Sequence, residues 1–227
     1  MIKRSVILTL LLLMQVTALV AQGRTEKKER STFGLSILGG VNLSQIDGDN
    51  FQGYRNVGFY AGLRGITKVS ERFEVYIELL YSQKGSKFES RERFGRSGDN
   101  GRHIKLDYAE VPILGAIRVT GDQSSTHVWL EAGVSIARLI DSRVMDSSEP
   151  SDTEFIFEAI EKDYDKSDFS VIAGITVDPT SFLGFGLRGT WGVKKFYENE
   201  FYMPSESRET VEFLRNYSIS FYALYHF

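Results

Sequence analysis

Phe73-Glu74-Val75-Tyr76-Ile77-Glu78-Leu79-Leu80-Tyr81-Ser82-Gln83-Lys84-Gly85 carries the decision between fold classes. Its side chains repeat with a period of two, the spacing at which a β-strand sends successive residues to opposite faces. Phe73, Val75, Ile77, Leu79 and Tyr81 fall on one face; Glu74, Tyr76, Glu78, Ser82 and Lys84 fall on the other. An apolar face backed by charges fits two environments. A soluble barrel turns the apolar side inward around a ligand, whereas a membrane barrel turns it outward to lipid.

The same design recurs on both sides of this stretch. Upstream, Phe33, Leu35, Ile37, Val41 and Leu43 alternate with small or polar residues, and about Arg55 to Thr67 puts Val57, Phe59, Ala61 and Leu63 against Asn56, Gly58, Gly62 and Arg64. Downstream, strands are expected at about Ile104 to Val119, His127 to Leu139, Phe169 to Val177, Leu183 to Val193 and Tyr217 to Phe227. In the fourth of the eight, Pro112 removes a ladder donor and predicts a bulge at which the alternation changes phase. Eight strands is an even number, as single-chain bacterial barrels require. A content of 13% aromatic residues, with 16 Phe and 11 Tyr, suits a pleated surface.

The connections alternate in length. Those centred on Ser70-Glu71, Gly121-Asp122 and Pro179-Thr180 are short; those at about Ser44 to Tyr54, Ser86 to His103, Asp141 to Ser167 and Phe196 to Arg215 are long and polar. Short turns at one end and long loops at the other is the transmembrane arrangement, with the loops outside. The expected inward set, Arg64, Glu74, Glu78, Glu131 and Arg188, settles which face meets lipid. An Arg facing mid-bilayer lipid costs on the order of 2–4 kcal/mol, so the charged face is the lumen. These five residues form the expected lumen charge network, with inner-face glycines such as Gly58, Gly62, Gly184 and Gly186 leaving room for it. The fold expected is all-β: an eight-stranded antiparallel up-and-down transmembrane β-barrel over residues 33–227.

The first residues read as an export signal. Lys3 and Arg4 precede an apolar run from Val6 to Met14, which is shorter than a membrane-spanning helix and is followed by small residues. Cleavage is expected after Ala21, with Val16-Thr17-Ala18 as a second small-residue site; residues 22–32 then form a polar periplasmic lead. The last strand ends in Phe227, with Tyr225 and Phe221 on the same face, an aromatic terminus suited to reading by the barrel assembly machinery.

Composition removes several functions. A net charge of -3 lacks the dense basic face that nucleic acid needs. Without Cys there is no disulfide, thiolate metal site or cysteine nucleophile, and the three His, at 103, 127 and 226, are too scattered for a metal motif. No cofactor is expected. A barrel enzyme acting on lipid would need Ser, His and an acid; His103 near Asp107 is the nearest approach, with no nucleophile-elbow serine beside it. The second long loop is basic, with Lys87, Arg91, Arg93, Arg96 and Arg102 placed to meet lipopolysaccharide phosphates. The third is acidic, from Asp141 to Asp165, and contains an apolar stretch at Phe155, Ile156, Phe157 and Ile160 suited to local packing or a protein partner.

Three segments resemble a known family: Phe33-Gly34 with Gly39-Gly40-Val41-Asn42, then Glu78-Leu79-Leu80-Tyr81-Ser82-Gln83-Lys84-Gly85, then Leu106-Asp107-Tyr108-Ala109-Glu110-Val111-Pro112. They are similar to the PorT-like outer-membrane β-barrels of Bacteroidota, over nearly the whole of residues 33–227, with Tyr-x-Glu-Val-Pro as the most specific part. The resemblance implies an eight-stranded outer-membrane barrel and supplies no catalytic residues. The namesake takes part in type IX protein secretion, a role of one branch. The expectation is a non-enzymatic integral outer-membrane protein with a closed charged lumen, whose partners are outer-membrane lipid and lipopolysaccharide, the assembly machinery during insertion and a protein at the outer loops. A secretion or transport subunit and a lipid-acting enzyme are the alternatives.

Overall fold

The computed structural model describes residues 32–49, 53–87, 103–121, 125–145, 160–198 and 212–227. Eight long strands alternate direction: β1 (Phe33–Asp47), β2 (Asn56–Lys68), β3 (Phe73–Lys87), β4 (His103–Arg118), β5 (His127–Met145), β6 (Ser167–Asp178), β7 (Leu183–Gly192) and, after the two-residue β8 (Tyr197–Glu198), β9 (Phe213–His226). Each long strand pairs antiparallel with its neighbour in sequence, and β9 returns to β1, from Ser36↔His226 to Asp47↔Arg215, so the ladder has no free edge. β8 pairs with Phe213 and Leu214 of β9. Tight connections join β2 to β3, β4 to β5 and β6 to β7 at the turn end; backbone bonds such as Val69 N–H to Phe73 O and Val119 N–H to Val128 O hold two of them. The remaining connections lie at the opposite, loop end.

Burial alternates along every long strand, with the polarity inverted relative to a soluble protein. Val57, Phe59, Ile77, Leu79 and Ile136 face outward and are more than half exposed, while Arg64, Glu78, Glu131 and Arg188 are no more than 2% exposed inside. Charges leave the surface for a barrel interior when the solvent outside is lipid, where an unpaired charge costs more than a paired one within. The lumen is packed in layers: an apolar cluster around Ile66, Tyr76, Leu114 and Trp129 at the turn end, another around Leu38, Leu80 and Leu224, and a third at the loop end around Ile46, Leu106, Tyr108, Phe196 and Leu214.

Two expectations differ from the structure. Pro112 causes no change of phase: it sits buried, paired with Ser135, and alternation runs straight through it. Its missing N–H interrupts the β3–β4 ladder between Leu80↔Glu110 and Ile77↔Ile113 without altering the register. The irregularity lies elsewhere, between Asp107↔Asp141 and Tyr108↔Leu139, where Ile140 of β5 is left over. The strands also run further toward the loop end than their apolar stretches, β5 by six residues to Met145 and β1 by four to Asp47. Ladder bonds continue above the lipid because water outside permits polar side chains, not because it ends pairing. The export segment, Arg91, Arg93, Arg96 and Arg102 of the second loop, and Phe155, Ile156 and Phe157 of the third lie outside the described residues.

Candidate functional site

Four charged side chains meet at mid-barrel. Arg64 on β2 stands opposite Glu78 on β3 in the register, and its Nε donates to Glu78 Oε1 at 2.7 Å. Arg188, from β7 across the lumen, donates from Nη1 to Glu78 Oε2 at 2.7 Å and from Nη2 to Glu131 Oε2 at 2.9 Å. Arg64 reaches Glu131 on β5 at 3.4 Å. Each arginine thus touches both carboxylates, and the quartet is neutral. Such charges persist in a low-dielectric interior only when paired and hydrogen-bonded in this way.

Tyrosines and one threonine complete the cluster. Tyr222 Oη donates to Glu131 Oε1 at 3.2 Å, Thr176 donates to the same oxygen, and Arg188 donates to Tyr60 Oη. Arg64 lies 4.5 Å from the centroid of the Tyr76 ring and Arg188 5.1 Å from that of Tyr222, so the guanidinium faces that lack acceptors rest on π-systems. A glycine makes the fit possible: a Cβ on Gly186 would lie 2.1 Å from Tyr222 Cζ, in collision with the hydroxyl end of the ring. Contributions from β2, β3, β5, β6, β7 and β9 converge at one level and occupy the width of the barrel.

Of the five residues expected in the lumen network, the structure brings together Arg64, Glu78, Glu131 and Arg188. Glu74 is a correction: it is buried on the same face, two steps of the alternation nearer the turn end, and accepts from Tyr76 Oη at 3.0 Å in place of an arginine. Phe221, Tyr225 and Phe227 lie exposed on the outer face of β9. The Tyr225 and Phe227 rings meet edge to face at 5.3 Å, and Phe227 N–H bonds Leu35 O at 3.0 Å, adding one rung to the closing seam.

Two polar groups escaped the sequence reading. Toward the loop end, Lys84 pairs with Glu110 at 2.5 Å, and Asn216 donates to Tyr108 Oη and Asp168. At the turn end Ser36 Oγ lies 2.8 Å from His226 Nδ1, His226 Nε2 lies 3.3 Å from Asp178 Oδ1, and Trp129 Nε1 donates to Asp178 Oδ2. The order Ser-His-Asp is that of a nucleophilic relay, yet Ser36 is fully buried, so a substrate carbonyl has no approach to it. His103 bonds Asn56 Oδ1 at 2.7 Å, an amide rather than an acid. Among the described residues no three His, Asp or Glu side chains gather as a metal site.

The family described as "Outer membrane protein beta-barrel domain" matches residues 20–198. No curated protein shows a significant sequence match. Among solved structures, the chain is similar to Ail, the attachment invasion locus protein of Yersinia pestis, at 12% identity and a TM-score of 0.42 over 86% of this chain and 98% of that one. It is similar to Neisserial surface protein A at 14% identity and a TM-score of 0.44, over 87% and 98%. A third similarity, to the outer membrane protein AlkL in lipid bilayers, has 13% identity and a TM-score of 0.37 over 91% and 96%. With the family pattern spanning more than half its length, the chain belongs to the outer membrane protein β-barrel domain family.

Proposed function

We propose that this outer-membrane barrel is non-enzymatic and closed, with its lumen serving as a rigid core and its loop end, facing outward, carrying any specific contact. The observation that supports this reading is the Arg64–Glu78–Arg188–Glu131 quartet, which fills the interior at mid-height. An eight-stranded barrel has an interior only just wide enough for its own side chains. Purified protein inserted into planar bilayers should therefore give no large, steady single-channel conductance; a stable open level in the wild type would defeat the reading.

The finer assignments rest on the sequence. Tyr108, Glu110, Val111 and Pro112 support a place in the PorT-like branch in Bacteroidota, with a secretion assembly as partner; affinity purification from native membranes, with or without secretion subunits in the eluate, decides between them. Lys3, Arg4 and the run to Met14 support export with cleavage after Ala21, leaving 22–32 as a lead; the N-terminal sequence of the membrane-extracted protein tests it. Phe221, Tyr225 and Phe227 support recognition by the assembly machinery.

A further inference from the structure

We propose that Asp168 stands in the folded barrel as a neutral carboxylic acid, and that its proton closes a two-bond clasp to Asn216 which ties β6 to β9 at the base of the loop-end apolar cluster. Both side chains are turned into the lumen and are 2% exposed. They come from strands that do not adjoin, because β7 lies between β6 and β9 in the sheet and ends at Gly192, opposite Ser170. No side chain stands at that end of β7; a Cβ on Gly192 would lie 2.7 Å from Asn216 O. Asn216 Nδ2 donates to Asp168 Oδ2 at 3.0 Å and to Tyr108 Oη at 2.9 Å. Tyr108, and Leu214 two residues before Asn216, belong to the apolar cluster, so the pair forms part of its floor.

The second bond follows from what the first leaves over. Asp168 Oδ1 and Asn216 Oδ1 are both acceptors, and neither has a donor. Neither has surface open to solvent, so a water or an ion has no room beside them, whereas a proton needs none. A carboxylic acid and a primary amide pair as a ring, with N–H to one carboxyl oxygen and O–H from the other to the amide carbonyl. One proton on Oδ1 therefore supplies the donor that both oxygens lack. Charge leads to the same species. The titratable groups facing Asp168 are Lys84 on β3 and Tyr108 and Glu110 on β4, with Tyr164 in the same cluster as Tyr108. β5 presents Ala137 opposite Asp168 in the register, and β9 presents Asn216. Lys84 is the one cation of this set and is held by Glu110 at 2.5 Å. Asp168 makes no ion pair among the described residues, and the quartet at mid-height is already neutral. A carboxyl group buried without a cation of its own takes up a proton, because the unpaired charge costs far more to keep out of water than the neutral acid does.

The test uses the full barrel refolded in detergent at neutral pH, with infrared spectra recorded in heavy water, where an acid carbonyl absorbs apart from carboxylate and amide. The wild type should show an acid band, and Asp168→Asn should lose a component of it that Glu74→Gln and Glu110→Gln retain. The amide introduced by Asp168→Asn makes both bonds of the ring, so urea unfolding should leave the folding equilibrium constant within about threefold of wild type. Asn216→Leu strips Asp168 of its partner and should lower that constant at least about tenfold. Absence of an acid component that Asp168→Asn removes overturns the proposal. So does Asp168→Asn losing as much stability as Asn216→Leu, since the charge itself would then be what the site requires. Should Asp168→Asn fail to fold, wild type isotope-labelled at its aspartate carboxyl carbons decides: an acid band that shifts with the label supports the clasp, and its absence overturns it. None of these readouts bears on conductance, so they stand apart from the closed-lumen reading.

Discussion

Glu78 accepts from two arginines that approach from different strands, and it is 1% exposed. Glu78→Leu leaves two guanidinium groups sharing Glu131 in a site that water does not reach, and the expected loss is about 3–5 kcal/mol. Glu78→Leu with Arg64→Leu leaves the neutral pair Arg188–Glu131, so the double variant should be more stable than the single one. Urea unfolding of both in detergent measures this; a double variant no better than the single one would refute the coupling. The quartet was legible because charges of opposite sign on the lumen faces of several strands share one narrow interior, where pairing offsets their burial. Glu74 was misplaced for a related reason: a period of two gives the face of a residue but not its height, and tilted strands bring together residues that sequence spacing does not relate. His103 offers a pH reading, since it lies beyond Lys105 and Asp107, above the apolar band. Burial, with Lys105 and Lys87 adding to it, holds its imidazole below the ordinary range. The fold then favours the neutral ring, so its contribution is full above the unfolded value near 6.5 and declines as pH falls through the folded one. Titration of His103 by NMR should give a midpoint below about 6.5; one at or above it would contradict the assigned cause.

Among the elements, β9 has the most to lose at its end. Phe227 supplies a backbone bond to Leu35 and an edge-to-face contact to Tyr225. Deleting it should lower the amount of heat-resistant barrel in the outer membrane several-fold, and deleting one residue between 88 and 99 should not; equal levels of the two would remove the terminal aromatic from the account. All eight long strands were placed from apolar alternation to within a few residues at the turn end, where the pattern stops with the lipid. At the loop end the ladder outlasts the pattern, and β5 ran six residues past its expected limit. The fourth strand shows how one residue obscured a site: treating Pro112 as a phase change left Glu110 without a face, and so Lys84, already on the inner side of β3, without its partner.

For the whole molecule, a closed ladder around a paired interior should resist dodecyl sulfate. The folded protein should migrate differently on a gel before and after boiling, and the two bands should merge for a chain lacking β9; one mobility for the wild type under both conditions would contradict the closed barrel. Closure also fixes an order of events. Most rungs join strands near in sequence, as where Lys68 faces Glu74, but the seam joins Ser36 to His226, 190 residues apart. Chain-loop entropy makes that last pairing about 3 kcal/mol less favourable to begin than a hairpin. Before it forms, both β1 and β9 present unbonded amides, and each one that faces hydrocarbon costs several kcal/mol. A half-built sheet is consequently unstable in the bilayer, so the strands have to assemble in contact with water or with a surface that borrows their edges, and enter the membrane together as a finished cylinder.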